Sequence, residues 1–181
     1  MWKWNPISSK WAFYTPTQID GGAAYADGNG YDTLTTINPG EGFWVNANTA
    51  FSVPLSAGAA IQSSSFKPAV SNPVTVGGVH ALPPGWSLVA TGDSPTPAQF
   101  NEAITTAYST PPPTAQVFAN LTTLWAWDAT KQNWYFWAPA LVNSGGLSSY
   151  ISSKNYLDPA TMPSTPPGAL SPTTGFWVKM P

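Results

Sequence analysis

The chain has no cysteine, no arginine and a single histidine among its 181 residues, and only 8% of its residues carry a charge, against about 25% in an average soluble domain. Each shortage removes a class of function. Six lysines scattered against eight acids cannot build the basic stripe that neutralises phosphates, so a nucleic-acid partner is excluded. Without cysteine there is no disulfide framework and no thiolate metal site, although its absence fits cytosolic and exported bacterial proteins alike. One histidine leaves any triad or imidazole metal site resting on His80 alone, which reads as a surface or turn residue. No run of 18 apolar residues is present, so no membrane span is expected, and the N-terminus has no signal-peptide core.

What is abundant is aromatic, turn-forming and uncharged: 10 Trp, 7 Tyr, 8 Phe, 20 Pro and 15 Gly. With 43% apolar residues the chain can bury enough surface to fold, despite its proline and glycine. A surface of Ser, Thr, Asn, Gln and Ala points to an extracellular or bacterial cell-surface location, as a piece of a longer exported protein.

The sequence reads as a repeat. Residues 2–16, WKWNPISSKWAFYTP, and 125–139, WAWDATKQNWYFWAP, place Trp2, Trp4, Trp11, Phe13 and Pro16 opposite Trp125, Trp127, Trp134, Phe136 and Pro139. Tyr25 and Tyr31 match Tyr150 and Tyr156. The block Gly42-Phe43-Trp44-Val45 matches Gly175-Phe176-Trp177-Val178, after a Pro-rich insert around Asp158 to Pro167. The second copy also has a preamble, Leu82 to Asp93 with Gly85-Trp86-Ser87-Leu88 within it, followed by a helix-like run from Pro97 to Tyr108, a Pro111-Pro112-Pro113 break and Val117 to Leu124. The first copy has no such preamble, so its N-terminus reads as truncated. The expected organisation is residues 1–62 as copy one without its first strand, 63–80 as linker and strand, and 81–181 as a complete copy two, the copies packing together.

Period-two patterning predicts hairpins at Trp2 to Phe13 and Trp125 to Phe136, with turns at Asn5 to Lys10 and Asp128 to Asn133. Gly40 and Gly42 lead into a strand with Phe43 and Val45 on one face and Trp44 on the other. Gln18 to Ala26 and Leu147 to Ser153 read as helical turns or loops carrying the paired tyrosines. Strands are expected at Phe51 to Leu55 and Val74 to Val79 around a linker at Gln62 to Asn72. The fold class is therefore all-β: two tandem copies of a small antiparallel unit, sandwich or barrel-like, with short helical turns in the connections.

The run Gly-Trp-x-Leu, then Trp-x-Trp-[Asn/Asp] with an aromatic hairpin, then Gly-Phe-Trp-Val resembles the Trp-rich tandem repeats at the C-terminal ends of large secreted or surface proteins of Gram-negative bacteria. The likeness covers Gly85 to Pro181 and the last two-thirds of copy one. It implies location and architecture and transfers no reaction.

Catalysis needs a nucleophile beside a base, a metal cluster or two facing carboxylates. Glu41 corresponds to Thr174 and Asp128 to Asn5, so a duplicated acid pair is excluded, and only one asymmetric glycosidase pair remains open. Asp27-Gly28-Asn29-Gly30-Tyr31-Asp32 has calcium-loop character but reads as a Gly and Asn turn. Neither metal nor cofactor is expected. Trp2, Trp4, Trp11, Phe13, their copies, Trp86, Phe43 and Phe176 read as packed core. Tyr14, Trp44, Trp137 and Trp177 fall out of phase with these and read as outward-facing rings able to stack on a pyranose, with Asn46, Gln132 and Asn133 as hydrogen-bonding neighbours. Alternatively, the same rings pack the two copies together. The leading expectation is a non-catalytic carbohydrate-binding or adhesion module for a neutral polysaccharide or cell-surface glycan. The others are a structural module that forms a homo-oligomer through the open edge of copy one, and a glycoside hydrolase.

Overall fold

The computed structural model describes residues 1–50, 61–69, 75–76, 79–106, 120–172 and 174–181. The expected strand Phe51 to Leu55 and the Pro111-Pro112-Pro113 break lie outside the described residues. The fold is β-rich, with three sheets and short helices in the connections.

In the first sheet, β1 (Trp2–Asn5) and β2 (Lys10–Phe13) form the expected hairpin, with Trp2 opposite Phe13 and Trp4 opposite Trp11. The turn has a local cause. Asn5 Oδ1 accepts from the backbone N–H groups of Ile7 and Ser8, and Ser9 takes the left-handed φ of 51° that lets a short loop rejoin the twist of its strands. Helix α1 (Ala23–Gly28) leads to β3 (Asp32–Thr33), which pairs parallel with β2, while β4 (Phe43–Trp44) pairs with β1. The strand order is β3-β2-β1-β4.

A small second sheet, ordered β5-β7-β6, holds β5 (Phe66–Pro68), β6 (Thr75–Val76) and β7 (Val79–Leu82). The stretch expected as a linker is thus partly structural. A 3-10 turn at Ser63–Ser65 is fixed by Asp93, which accepts from the Ser63 backbone N–H and hydroxyl, and it delivers Phe66 into the core against Phe100. A lone phenylalanine among serines gives no periodic signal, so β5 escapes a pattern-based reading.

The third sheet has the order β10-β9-β11-β8, formed by β8 (Gly85–Val89), β9 (Thr123–Asp128), β10 (Asn133–Trp137) and β11 (Phe176–Met180). Its hairpin pairs Trp125 with Phe136 and Trp127 with Trp134, the pairings of β1 and β2 displaced by 123 residues. The turns match as well: Asp128 Oδ1 accepts from the N–H groups of Thr130 and Lys131, and Gln132 has φ 50°. Between hairpin and β11 come α3 (Pro139–Asn143) and α4 (Leu147–Lys154).

Helix α2 (Pro97–Thr106) follows β8. Its start is a capping box, in which Thr96 and Gln99 each bond the other's backbone N–H through the side chain, and Pro97 sits in the first turn, where no N–H is needed. Phe100 and Ile104, one turn apart, are fully buried. They pack with Phe66, Val89, Leu124, Phe176 and Val178 in the main core, which covers one face of the third sheet. Among the described residues no helix is long and apolar enough to cross a membrane.

Candidate functional site: an aromatic cleft between two sheets

Strand alternation puts Trp2, Trp4, Trp11, Phe13 and Trp44 on one face of the first sheet, and Trp125, Trp127, Trp134, Phe136 and Trp177 on one face of the third. These two faces meet. Trp177 lies edge-on to Trp4 and Trp11, at 5.8 and 5.6 Å between ring centroids. On the other side Trp44 lies edge-on to Trp134 at 5.9 Å and tilted against Trp127 at 6.5 Å. Each sheet sends one tryptophan into the other's hairpin. Mostly edge-to-face contacts are what ring quadrupoles favour, at about 0.5–1.5 kcal/mol per pair beyond burial.

The sheets approach closely at two positions that lack side chains, Gly42 and Gly175. A Cβ on Gly42 would lie 2.9 Å from both Leu88 Cγ and the Val89 carbonyl oxygen, and one on Gly175 would lie 3.6 Å from Gly42 Cα. There the first sheet joins β8: Gly42 N–H donates to the Leu88 carbonyl, Ala90 N–H to the Gly40 carbonyl, and Trp4 Nε1 to the Trp86 carbonyl.

The junction stays open to solvent, and its rings are half-buried. One cleft of about 460 Å³ is walled by Trp4, Trp11, Trp86, Trp125, Trp134, Tyr156 and Trp177. A second, of about 530 Å³, is walled by Trp2, Trp11, Tyr31, Trp44, Trp134 and Trp177. Trp11, Trp134 and Trp177 belong to both. The paired tyrosines now have a role: Tyr31 stands 5.1 Å from Trp2 and Tyr156 4.9 Å from Trp125, buttressing the ends of the hairpins. Trp4 and Trp125 spend their indole N–H groups on the Trp86 carbonyl and the Thr123 hydroxyl. The indole N–H groups of Trp11, Trp134 and Trp177 donate to no protein group among the described residues.

The structure redistributes the residues expected to bind ligand. Trp44 and Trp177 do line the aromatic clefts, but they face the opposing sheet rather than an outer surface. Trp137 is a correction: it is 7% exposed and belongs to the main core, because the face it shares with Tyr135 is covered by core residues, Met162 and Leu170 among them. Tyr14 is exposed but lies on the far face of the first sheet, against Gly21. Asn46 and Gln132 are exposed and line neither cleft. Gln132 occupies the left-handed turn position, and Asn133 uses its amide on the Asn155 carbonyl and the Trp134 N–H. Two expected core rings are corrected the other way, since Trp86 is 38% and Phe43 41% exposed. Period two could assign Trp4, Trp11, Trp125 and Trp134 to faces, yet it could not show that those faces meet.

The acids are mostly structural. Glu41 pairs with Lys3 at 3.0 Å, Asp20 caps the turn before α1, Asp93 holds the 3-10 turn and Asp158 caps another at Pro159–Thr161. Asp128 is held below the ordinary carboxylate range by the Lys131 backbone N–H and then by the Tyr135 hydroxyl, which donates to it at 2.7 Å. Burial pushes the Tyr135 phenol up. Asp27 to Asp32 forms a helix end, with Asn29 bonding the Tyr25 carbonyl and Gly30 at φ 73°. No group of three or more His, Cys, Asp or Glu able to hold a metal occurs among the described residues. His80 is half-buried against Phe66, at 5.4 Å, and lines a separate pocket of about 450 Å³ with Lys3, Glu41 and Ser87. A scan against protein-family models, a search of curated proteins and a search of solved structures each returned no match to this chain.

Proposed function

We propose that this chain is a non-catalytic, extracellular glycan-binding or adhesion module within a longer exported protein, holding a neutral polysaccharide in the aromatic clefts between its sheets. In this reading the segments 123 residues apart are two copies of one unit, docked about an approximate two-fold axis near Gly42 and Gly175. Reciprocal insertion of Trp44 and Trp177 is the contact such an axis generates.

The observation that carries the proposal is the solvent-open wall of tryptophans whose shared rings, Trp11, Trp134 and Trp177, spend no indole N–H on any of the described residues. A core built only for stability would close over such rings. Stacked faces suit the apolar C–H surface of a pyranose, and these indole N–H groups suit its hydroxyls. Among the described residues the walls of both clefts hold no acid or lysine, with Lys179 standing 5.6 Å over the Trp86 ring at the rim of the first, which suits a largely uncharged ligand.

Affinity electrophoresis through gels containing neutral polysaccharides tests this. Retardation by at least one polymer is expected, with Trp11→Ala weakening it about tenfold or more, the loss of roughly one stacked ring. Unretarded migration across a broad panel would remove the proposal.

A further inference from the structure

Corresponding positions of the two sheets differ sharply in what covers them. Phe176 and Val178 in β11 are 0% exposed, whereas Phe43 and Val45, 133 residues earlier in the same Gly-Phe-Trp-Val run, are each 41% exposed. The cover over β11 is identifiable. Strand β8 pairs along its whole length, with Val89 opposite Phe176, Leu88 opposite Trp177, Ser87 opposite Val178 and Trp86 opposite Lys179. Helix α2 then lays Phe100 edge-on against Phe176, at 5.0 Å between centroids. In the first sheet, β4 is the edge strand. β1 pairs with one edge of β4, the contacts with β8 reach only as far as Gly42, and among the described residues no strand pairs with the other edge of Phe43 and Trp44.

We infer that the outer edge of β4 is a docking site for one kind of segment, an added strand of the Gly-Trp-x-Leu-Val type followed by an amphipathic helix. The inference rests on the two-copy reading above. That reading fixes the register: the incoming Val stands opposite Phe43, Leu opposite Trp44, the middle residue opposite Val45 and Trp opposite Asn46. Main-chain pairing at an open edge supplies affinity, and the alternate side chains supply specificity. The helix supplies the apolar cap that Phe43 and Val45 lack, as Phe100 does for Phe176. A second copy of this chain is the poorer occupant, because its own Gly85–Val89 strand is already committed to β11.

The test uses a fluorescein-labelled synthetic peptide with the sequence of Leu82–Thr106, titrated into the intact protein and followed by anisotropy and by amide hydrogen exchange. Saturable binding is expected, with slowed exchange at residues 43–46. Phe43→Asp, at an exposed position outside both clefts, should weaken binding about tenfold or more and leave polysaccharide retardation unchanged. A peptide with its Trp and Leu replaced by Ala should not bind. Three results overturn the inference: no binding, protection at residues 176–180 instead, or an edge already protected by concentration-dependent dimerisation. Failure of the glycan assay alone leaves this result standing, and the converse holds.

Discussion

Asn5 and Asp128 do the same work in two hairpins with different chemistry. Each side chain accepts from the two N–H groups that open its turn, so the requirement is an oxygen at that place and not a charge. Asp128 adds the Tyr135 hydroxyl and a 3.5 Å ion pair with Lys131. A carboxylate held low in the fold contributes stability above its unfolded value, near pH 4, and that contribution is lost as pH falls through the folded value. Asp128→Asn should therefore keep the turn, as Asn5 shows is possible, and flatten part of the acid limb of a plot of urea midpoint against pH. Asp20, also held low, by the Ala24 and Gly22 N–H groups, should preserve the rest. An unchanged acid limb would show that the Tyr135 network does not couple to folding. The turn also accounts for where Gln132 sits: it takes the left-handed position, away from the residues that wall the two clefts.

At the scale of elements, the crossing of the Gly42–Trp44 and Gly175–Trp177 runs is tightly packed. Because Leu88 and the Val89 backbone leave no room for a Cβ at Gly42, Gly42→Ala should destabilise by about 1–3 kcal/mol through overpacking, seen as a lower urea midpoint. A midpoint equal to wild type would mean that the sheets slide freely past each other. The hairpins, α2 and the helical turns were legible in the sequence because their apolar positions recur at the right period. Which face is inside was not. Period two shows that Trp137 and Tyr14 share a phase, but a sheet can be covered on both sides, and the third sheet is: main core on one face, the first sheet's tryptophans on the other. The resulting error moved Trp137 outward and Phe43 inward. The aromatic clefts were illegible for the same reason, since they exist only once Trp177 and Trp44 have crossed between sheets.

Taken as a whole molecule, the low charge and the tryptophans belong to one design in which two aromatic sheet faces meet without sealing. Trp11, Trp134 and Trp177 stand where the two clefts join, so a bound chain lying along both must touch all three. The indole N–H resonances of the ten tryptophans, followed by two-dimensional NMR during titration with fragments of a polysaccharide that retards the protein, test this most directly. The account predicts saturable shifts led by Trp11, Trp134 and Trp177, with the Trp137 resonance still. Shifts confined to Trp137, or ten stationary resonances against every neutral glycan tried, would contradict it.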